Sequence, residues 1–326
     1  METVLSGIRP TGNLHLGNYF GAVKNFIRLQ DEYNCFFFIA DWHSLTTHPK
    51  PGHVRENVNK ILAEYLACGI DPTKSAIYVQ SDVKEVLELY LYLNMNAYLG
   101  ELQRVTSFKD KARKNPENVN SGLLTYPCLM AADILLHKAD KVPVGKDQEQ
   151  NMEMTRKFAR RFNSIYGVDF FKEPESYSFG GNAIKVPGLD GSGKMGKSEG
   201  NAIYLIDDEK TIRKKVMKAV TDSGPTEMNS EKPEAVANLF KMLEIVSSPD
   251  VHEFFNEKYN NCEIRYGDLK KQLAEDIISY TSPIREKILD YSANTELLAK
   301  VAKEGAEKAQ ESAAKTVKAV REIIGF

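Results

Sequence analysis

The sequence predicts an α/β fold: a doubly wound parallel sheet followed by an all-helical C-terminal domain. Three observations carry this. Val4-Leu5-Ser6-Gly7, Cys35-Phe36-Phe37-Phe38-Ile39-Ala40 and Ala76-Ile77-Tyr78-Val79-Gln80 are almost continuous apolar runs, as strands covered on both faces read. Stretches with helical spacing separate them, and strand-helix-strand alternation is the rhythm of such a sheet. After about Asp207 only helical patterns rich in Lys and Glu remain, down to Phe326.

Taken in order, Val4 to Gly7 is a short strand that meets a Gly/Pro-rich turn, Ile8-Arg9-Pro10-Thr11-Gly12-Asn13. Leu16, Tyr19, Phe20, Val23, Phe26 and Ile27 then recur at helical spacing to about Gln30. The run Cys35 to Ala40 ends at Asp41, and an amphipathic stretch from Val54 to Gly69 leads to the third strand, ending at Gln80. Ligands of these sheets bind beyond the carboxyl ends of strands, so Gly7 to Gly17, Asp41 and Gln80 are expected near a pocket. Val83 to about Ala139 reads as helical, including Tyr126 to Ala139. Val142-Pro143-Val144-Gly145 reads as a strand and Asp147 to Tyr166 as a helix. Asn182 to Asn201, rich in Gly, Lys and Ser, reads as a mobile loop. The change of pattern places a boundary near residue 206, giving domains 1–206 and 207–326. The last helix is open to two placements, within the second domain or packed back on the first.

The 326 residues, 42% hydrophobic and 27% charged, fit an ordinary globular chain. No apolar run approaches the roughly 20 residues that span a bilayer, and the N-terminus lacks a signal-peptide pattern, so the cytoplasm is the expected compartment. Cys35, Cys68, Cys128 and Cys262 form no CxxC pair, and no structural metal or iron–sulfur cluster is expected. A net charge of −2 does not mark a general nucleic-acid binder, so RNA contacts must come from local patches. Arg104 to Lys114, Arg156 to Arg161 and Arg213 to Lys218 are such patches, each also readable as a solvated helix face.

Two segments carry chemistry. Pro10-Thr11-Gly12-Asn13-Leu14-His15-Leu16-Gly17-Asn18 joins a strand to a helix, where glycines admit a ligand to the backbone and the helix start offers N–H groups to phosphate. His15 and Asn18, three apart, share one face. Gly191-Ser192-Gly193-Lys194-Met195-Gly196-Lys197-Ser198 sets two lysines three apart in a flexible loop, suited to gripping and releasing a polyanion. It lacks the spacing of a Walker A loop.

Together the segments resemble the HIGH and KMSKS signatures of class I aminoacyl-tRNA synthetases, as His15-Leu16-Gly17-Asn18 and Lys194-Met195-Gly196-Lys197-Ser198. From near Ser6 to its end the chain resembles the tryptophanyl-tRNA synthetases, with support from Ala67-Cys68-Gly69-Ile70-Asp71-Pro72, Tyr126-Pro127-Cys128-Leu129-Met130-Ala131-Ala132-Asp133 and Val142-Pro143-Val144-Gly145-Lys146-Asp147-Gln148. The resemblance implies a Rossmann-like catalytic domain, use of ATP with Mg2+, L-tryptophan and tRNA(Trp) as substrates, and a homodimer. It implies tryptophan contacts from Leu5, His43, Tyr126, Met130, Asp133, Val144 and Gln148. Asp133 would accept the indole N–H while Met130 packs on the ring. A carboxylate amid Ala131, Ala132, Ile134 and Leu135 needs such a partner. ATP contacts are implied for Arg9, Thr11, Gly17, Asn18, Lys111, Gly145, Asp147, Gln148, Lys194, Met195, Lys197 and Ser198. The resemblance also implies a catalytic role for Lys194, Lys197, His15 and Asn18.

The chain departs from the family pattern at Arg9, Lys146, Asn151 and Gly196, where Gln, Glu, His and the signature's middle Ser are usual. The alternatives are a tyrosyl-tRNA synthetase, a non-catalytic RNA-binding paralogue, and a small-molecule adenylyltransferase, usually a much shorter chain.

Overall fold

The computed structural model describes residues 1–179 and 184–326. Among them, five parallel strands form one sheet in the order β3-β2-β1-β4-β5: β1 (Thr3–Ile8), β2 (Asn34–Ile39), β3 (Ser75–Val79), β4 (Lys141–Pro143) and β5 (Glu175–Tyr177). The apolar runs are strands because both faces are covered: Cys35 to Ile39 are all buried, as is every residue of β3. The chain works outward from β1 through β2 to β3, then restarts on the other side of β1 with β4. This reversal between β1 and β4 is a topological switch point, the place where such sheets bind ligands.

β1 runs one residue past its apolar run at each end, while β2 and β3 each start and stop one residue early. The fourth starts at Lys141 and stops at Pro143, which leaves Val144 and Gly145 in the switch region. β5 has no apolar run to announce it. Glu175-Ser176-Tyr177 is an edge strand held by its backbone ladder, with Val142 opposite Ser176.

The helix after the first turn runs through Leu16–Asn18, a π-helical stretch at Tyr19–Val23, and α1 (Lys24–Glu32). On the same face of the sheet packs α2 (His53–Cys68), and the opposite face carries α3 (Glu85–Met95), α5 (Ser121–Leu136) and α6 (Glu149–Tyr166), with α4 (Thr106–Lys114) beside α5. The helical reading of 83–139 is thus several helices, and α5 ends at Leu136, where Lys138 takes a left-handed conformation (φ 48°). The C-terminal helices are α7 (Glu209–Met217), α8 (Glu234–Val246), α9 (Pro249–Asn260), α10 (Tyr266–Ala293) and α11 (Thr295–Ile324).

The last helix packs back on the sheet. α11 lies against β3, α3 and α5 and buries Val301, Ala306, Ala309, Ala313 and Val317. At Gly305 its backbone comes so near β3 that an added Cβ would sit 1.9 Å from the Ile77 carbonyl oxygen, so only glycine fits. The apolar core also continues across residue 206: Ile203, Leu205, Ile212, Val216 and Leu273 share one cluster with Val4, Phe37 and Ile61.

Candidate active site at the switch point

Two cavities flank the ends of β1 and β4. The first, about 340 Å3, is lined by Leu5, Gly7, Phe38, His43, Tyr126, Met130, Asp133, Val144 and Gln148, among others. Every residue expected around the indole is in this set. Gly7 is required there, because a Cβ would lie 2.4 Å from the Phe38 ring, which lines the cavity beside it.

Asp133 is 4% exposed. Gln80 Nε2 donates to its two oxygens at 2.8 and 3.0 Å, and His43 Nε2 lies 2.8 Å from Oδ2. Burial raises the carboxyl's pKa, and these hydrogen bonds pull against that rise. A carboxylate offers about four lone-pair sites, so three contacts leave room for one more donor. Across the cavity, the Tyr126 hydroxyl meets Ser107 Oγ at 3.0 Å. Asn151 Nδ2 donates both to that hydroxyl and, at 2.8 Å, to Gln148 Oε1. Asn151, a departure from the family pattern, is therefore the buried brace of both residues.

The second cavity, about 520 Å3, lies on the other side of the same backbone. It shares Ser6, Gly7, Pro143, Val144 and Gly145 with the first and adds Asn18, Gly21, Phe26, Lys146 and Phe179. Beside it, His15 and Asn18 cap each other. Asn18 Oδ1 accepts the His15 N–H at 3.2 Å, and His15 Nδ1 accepts the Asn18 N–H at 3.3 Å. An accepting Nδ1 implies the neutral Nε2–H tautomer. Burial, then Lys197 and Lys194, hold the His15 pKa down to about 4, so the ring stays neutral near pH 7. Gly17 leaves room for it: a Cβ would lie 2.9 Å from the imidazole.

The lysine loop is tied to this turn. Leu16 N–H bonds Ile203 O at 3.0 Å and Leu205 N–H bonds Leu14 O at 2.9 Å, zipping the loop's exit strand to the first motif. Lys197 Nζ donates to Gly12 O at 2.8 Å and reaches Thr11 Oγ1 at 3.4 Å. Residues 182 and 183 of the loop expected to be mobile lie outside the described residues. The rest folds around the side chain of Asn201, which accepts the Gly196 N–H at 2.9 Å and donates to Asp190, Ser192 and the Lys194 carbonyl.

The other residues expected on the nucleotide are spread over both cavities, the core and the surface. Arg9 lines the first cavity, half-buried, with its Nε unpartnered among the described residues and Nη2 donating to Thr47 Oγ1 at 3.5 Å. Lys111 lies with Nζ 4.3 Å over the Tyr126 ring, close enough to Arg9 for the two charges to repel. Met195 is 2% exposed in the core, with its N–H on Val186 O at 3.0 Å. Asp147 and Ser198 are exposed and bonded to their neighbours Gln148 and Glu199. Lys194 is exposed, and Gly145 lines both cavities. Trp42 lines a small separate cavity behind Tyr126.

Two residues went unassigned from sequence. Gln80 was placed near a pocket by its strand end, but its bond to Asp133 required the fold. Glu64 carried a signal that was passed over, a carboxylate inside Ile61-Leu62-Ala63-Glu64-Tyr65-Leu66-Ala67. It is 1% exposed and accepts the Leu14 N–H at 2.8 Å. Among the described residues no group of three or more His, Cys, Asp or Glu is arranged to hold a metal ion, and no helix is long and apolar enough to cross a membrane.

Comparison with known proteins agrees with this geometry. The family model for "tRNA synthetases class I (W and Y)" matches residues 2–281. The chain is 74% identical to the tryptophan–tRNA ligase of Porphyromonas gingivalis, over 100% of both chains, and 44% identical to that of Fusobacterium nucleatum, over 100% of this chain and 98% of the other. A crystal structure of tryptophanyl-tRNA synthetase from Campylobacter jejuni, complexed with ADP and tryptophan, superposes with a TM-score of 0.90 at 37% identity, covering 99% of this chain and all of that one. The chain therefore belongs to the class I tRNA synthetases of the tryptophan and tyrosine group and, within it, to the tryptophan–tRNA ligases.

Proposed function

We propose that the chain activates L-tryptophan with ATP to tryptophanyl-adenylate and transfers it to tRNA(Trp). The observation that carries the reading is the pair of cavities meeting at Gly7 and Gly145, one with a buried acceptor at its end and the other beside a turn rich in donors. The indole fills the first cavity with its N–H on Asp133 and its face on Met130, while Tyr126 and Gln148 hold the ammonium group. The nucleotide occupies the second, its phosphates toward His15, Asn18, Lys194 and Lys197.

The tryptophan carboxylate attacks the α-phosphorus, the bond to the bridging oxygen breaks, and pyrophosphate leaves with that electron pair. A carboxylate is already nucleophilic, so no general base is needed. What the chain supplies is alignment and charge neutralisation. The side chains facing the phosphates are amide, imidazole and ammonium donors, which fit phosphate oxygens. Magnesium would arrive with the nucleotide and spread the leaving group's charge. A hydroxyl of the tRNA's terminal adenosine then attacks the acyl carbon and releases AMP.

The C-terminal helices serve the tRNA in this reading. Many of the basic residues are already engaged by carboxylates, among them Arg156, Arg160, Arg161, Arg213 and Lys215. A second copy of the chain covers Leu87, Leu91 and Met95, a stripe at four-residue spacing on α3 that is 45%, 46% and 76% exposed and continues into Tyr98 and Leu99. Sedimentation of the protein and of Leu91→Lys tests the dimer. These partners make the cytoplasm the working compartment. The function is tested by amino-acid-dependent exchange of pyrophosphate into ATP across all twenty amino acids. Exchange should require tryptophan, and equal exchange with tyrosine would remove the assignment.

A further inference from the structure

Glu64 is a buried ionisable group that the reaction as written does not use. It lies on α2, behind the turn that carries His15, while Lys197 docks on the front of that turn. Its Oε2 accepts the Leu14 N–H at 2.8 Å, and its Oε1 is buried without a partner among the described residues. Lys197 touches Gly12 O and Thr11 Oγ1, both neutral oxygens, and Glu64 is the carboxylate whose field reaches its ammonium. Burial disfavours the charge on both groups. Each therefore gains most from the other when the loop is docked.

We propose that Glu64 is a positioning residue for the ATP step: it fixes the turn through Leu14 and supplies, across the turn, the counter-charge that holds Lys197 docked before the nucleotide arrives. The inference rests on the synthetase reading for its kinetic consequence but not for its structural one. A docked Lys197 waits where the pyrophosphate forms and gives up the turn's oxygens for the phosphate's. Without the buried charge the loop samples open positions, and the nucleotide must select the docked one.

Glu64→Gln keeps an oxygen for the Leu14 N–H and removes the charge. Tryptic cleavage after Lys194 and Lys197 reports loop docking, and pyrophosphate exchange reports ATP and tryptophan separately. At about pH 9, where the Glu64 carboxyl is charged, loop cleavage should become about five- to tenfold faster and kcat/KM for ATP should fall by a similar factor, the usual size of a coupling between two sites. KM for tryptophan should stay at the parent value. Parent-like cleavage, an ATP value unchanged or raised, or an equal loss for tryptophan would each overturn the proposal. A parent protein with no tryptophan-dependent exchange would sink the synthetase reading instead and leave the cleavage result standing.

If Glu64→Gln fails to fold, the unaltered protein still decides. Burial pushes the Glu64 carboxyl up to about 8, against the pull of Leu14, Lys197 and Lys60, while Tyr65 and Cys68 face it from its own helix. Glu64 is neutral below that value and charged above it. Loop cleavage, measured against a tryptic site outside the loop, should slow as pH rises from about 7 to about 9. A flat ratio would overturn the proposal.

Discussion

The two halves of the site are built differently. Around the ring cavity, side chains hold side chains: Gln80 and His43 hold Asp133, and Asn151 holds Tyr126 and Gln148, all on strand ends and helices. Around the first turn and the lysine loop, the backbone is tied and Lys197 rests on the neutral oxygens of Gly12 and Thr11. Leu16 and Leu205 zip the two motifs together, Asn201 gathers the loop, and Lys194 reaches into solvent. A network fixed in advance discriminates between ground-state ligands. Charges held in reserve act where charge builds during reaction. The ring half should govern which amino acid reacts, and the phosphate half how fast.

The largest expected effect tests the ring half. The protein should prefer tryptophan over phenylalanine by about 10⁴ or more in kcat/KM, because phenylalanine leaves Asp133 short of a donor. Asp133→Asn should lose most of that preference, and its urea midpoint should fall as well, because an amide nitrogen then faces the Gln80 donor. A variant that still discriminates would show that ring shape, and not the carboxylate, selects the substrate.

The phosphate half should respond in the other parameter. Lys194→Ala and Lys197→Ala should each lower the rate of adenylate formation about 10²- to 10³-fold, as loss of one oxyanion donor does. Calorimetric affinity for tryptophan should be untouched. Single-turnover formation at the parent rate in both variants would remove the lysine loop from the chemistry and with it the contrast drawn here.

The same contrast explains what was legible in the sequence. The strands β1 to β3 are readable because burial on both faces leaves few polar positions. β5 is not, because an edge strand needs only its backbone. The phosphate half announces itself through local strings, since the glycines and lysines that serve it are neighbours in the chain. The ring half is scattered across β1, the turns after β2, β3 and β4, and helices α5 and α6. The chain resemblance supplied its residues, but neither pattern nor spacing shows that Gln80 and Asp133 meet across 53 residues. Glu64 and Leu14, 50 residues apart, are the same case. Gly, Lys and Ser content marks the segment as a loop, but does not show that the side chain of one buried residue, Asn201, bonds it together.

A third test sits on the seam between the halves. Arg9, expected on the tryptophan carboxylate or the nucleotide's phosphates, lines the ring cavity next to Lys111 with its Nε unpartnered among the described residues. Two cations at one mouth favour an anion there, and the tryptophan carboxylate is the anion the reaction brings to it. Arg9→Gln should weaken tryptophan binding by about 1.5 to 3 kcal/mol, the range for a hydrogen bond to a charged group. Titration at low and moderate salt should show the loss shrinking as salt rises. Unchanged tryptophan affinity would place the guanidinium outside the site.

The smallest effect should come from Asn151, and its size separates bracing from contact. Its amide nitrogen donates to the Tyr126 hydroxyl and to Gln148 Oε1, but the cavity lining contains Tyr126 and Gln148 and not Asn151 itself. In Asn151→Ala the tyrosine keeps Ser107 as a partner, and Gln148 keeps its own bond to Asp147. The loss is then one or two neutral hydrogen bonds, each worth about 0.5 to 1.5 kcal/mol. Tryptophan KM should rise about five- to tenfold, with kcat for adenylate formation within a factor of about two of the parent, because nothing on the phosphate side moves. A fall in kcat as large as that of the lysine variants would mean that the two halves share one network. A loss in tryptophan affinity larger than that of Arg9→Gln would mean that the brace outweighs the charge, and that orientation of Tyr126 and Gln148, more than Coulomb attraction at Arg9, holds the substrate in place.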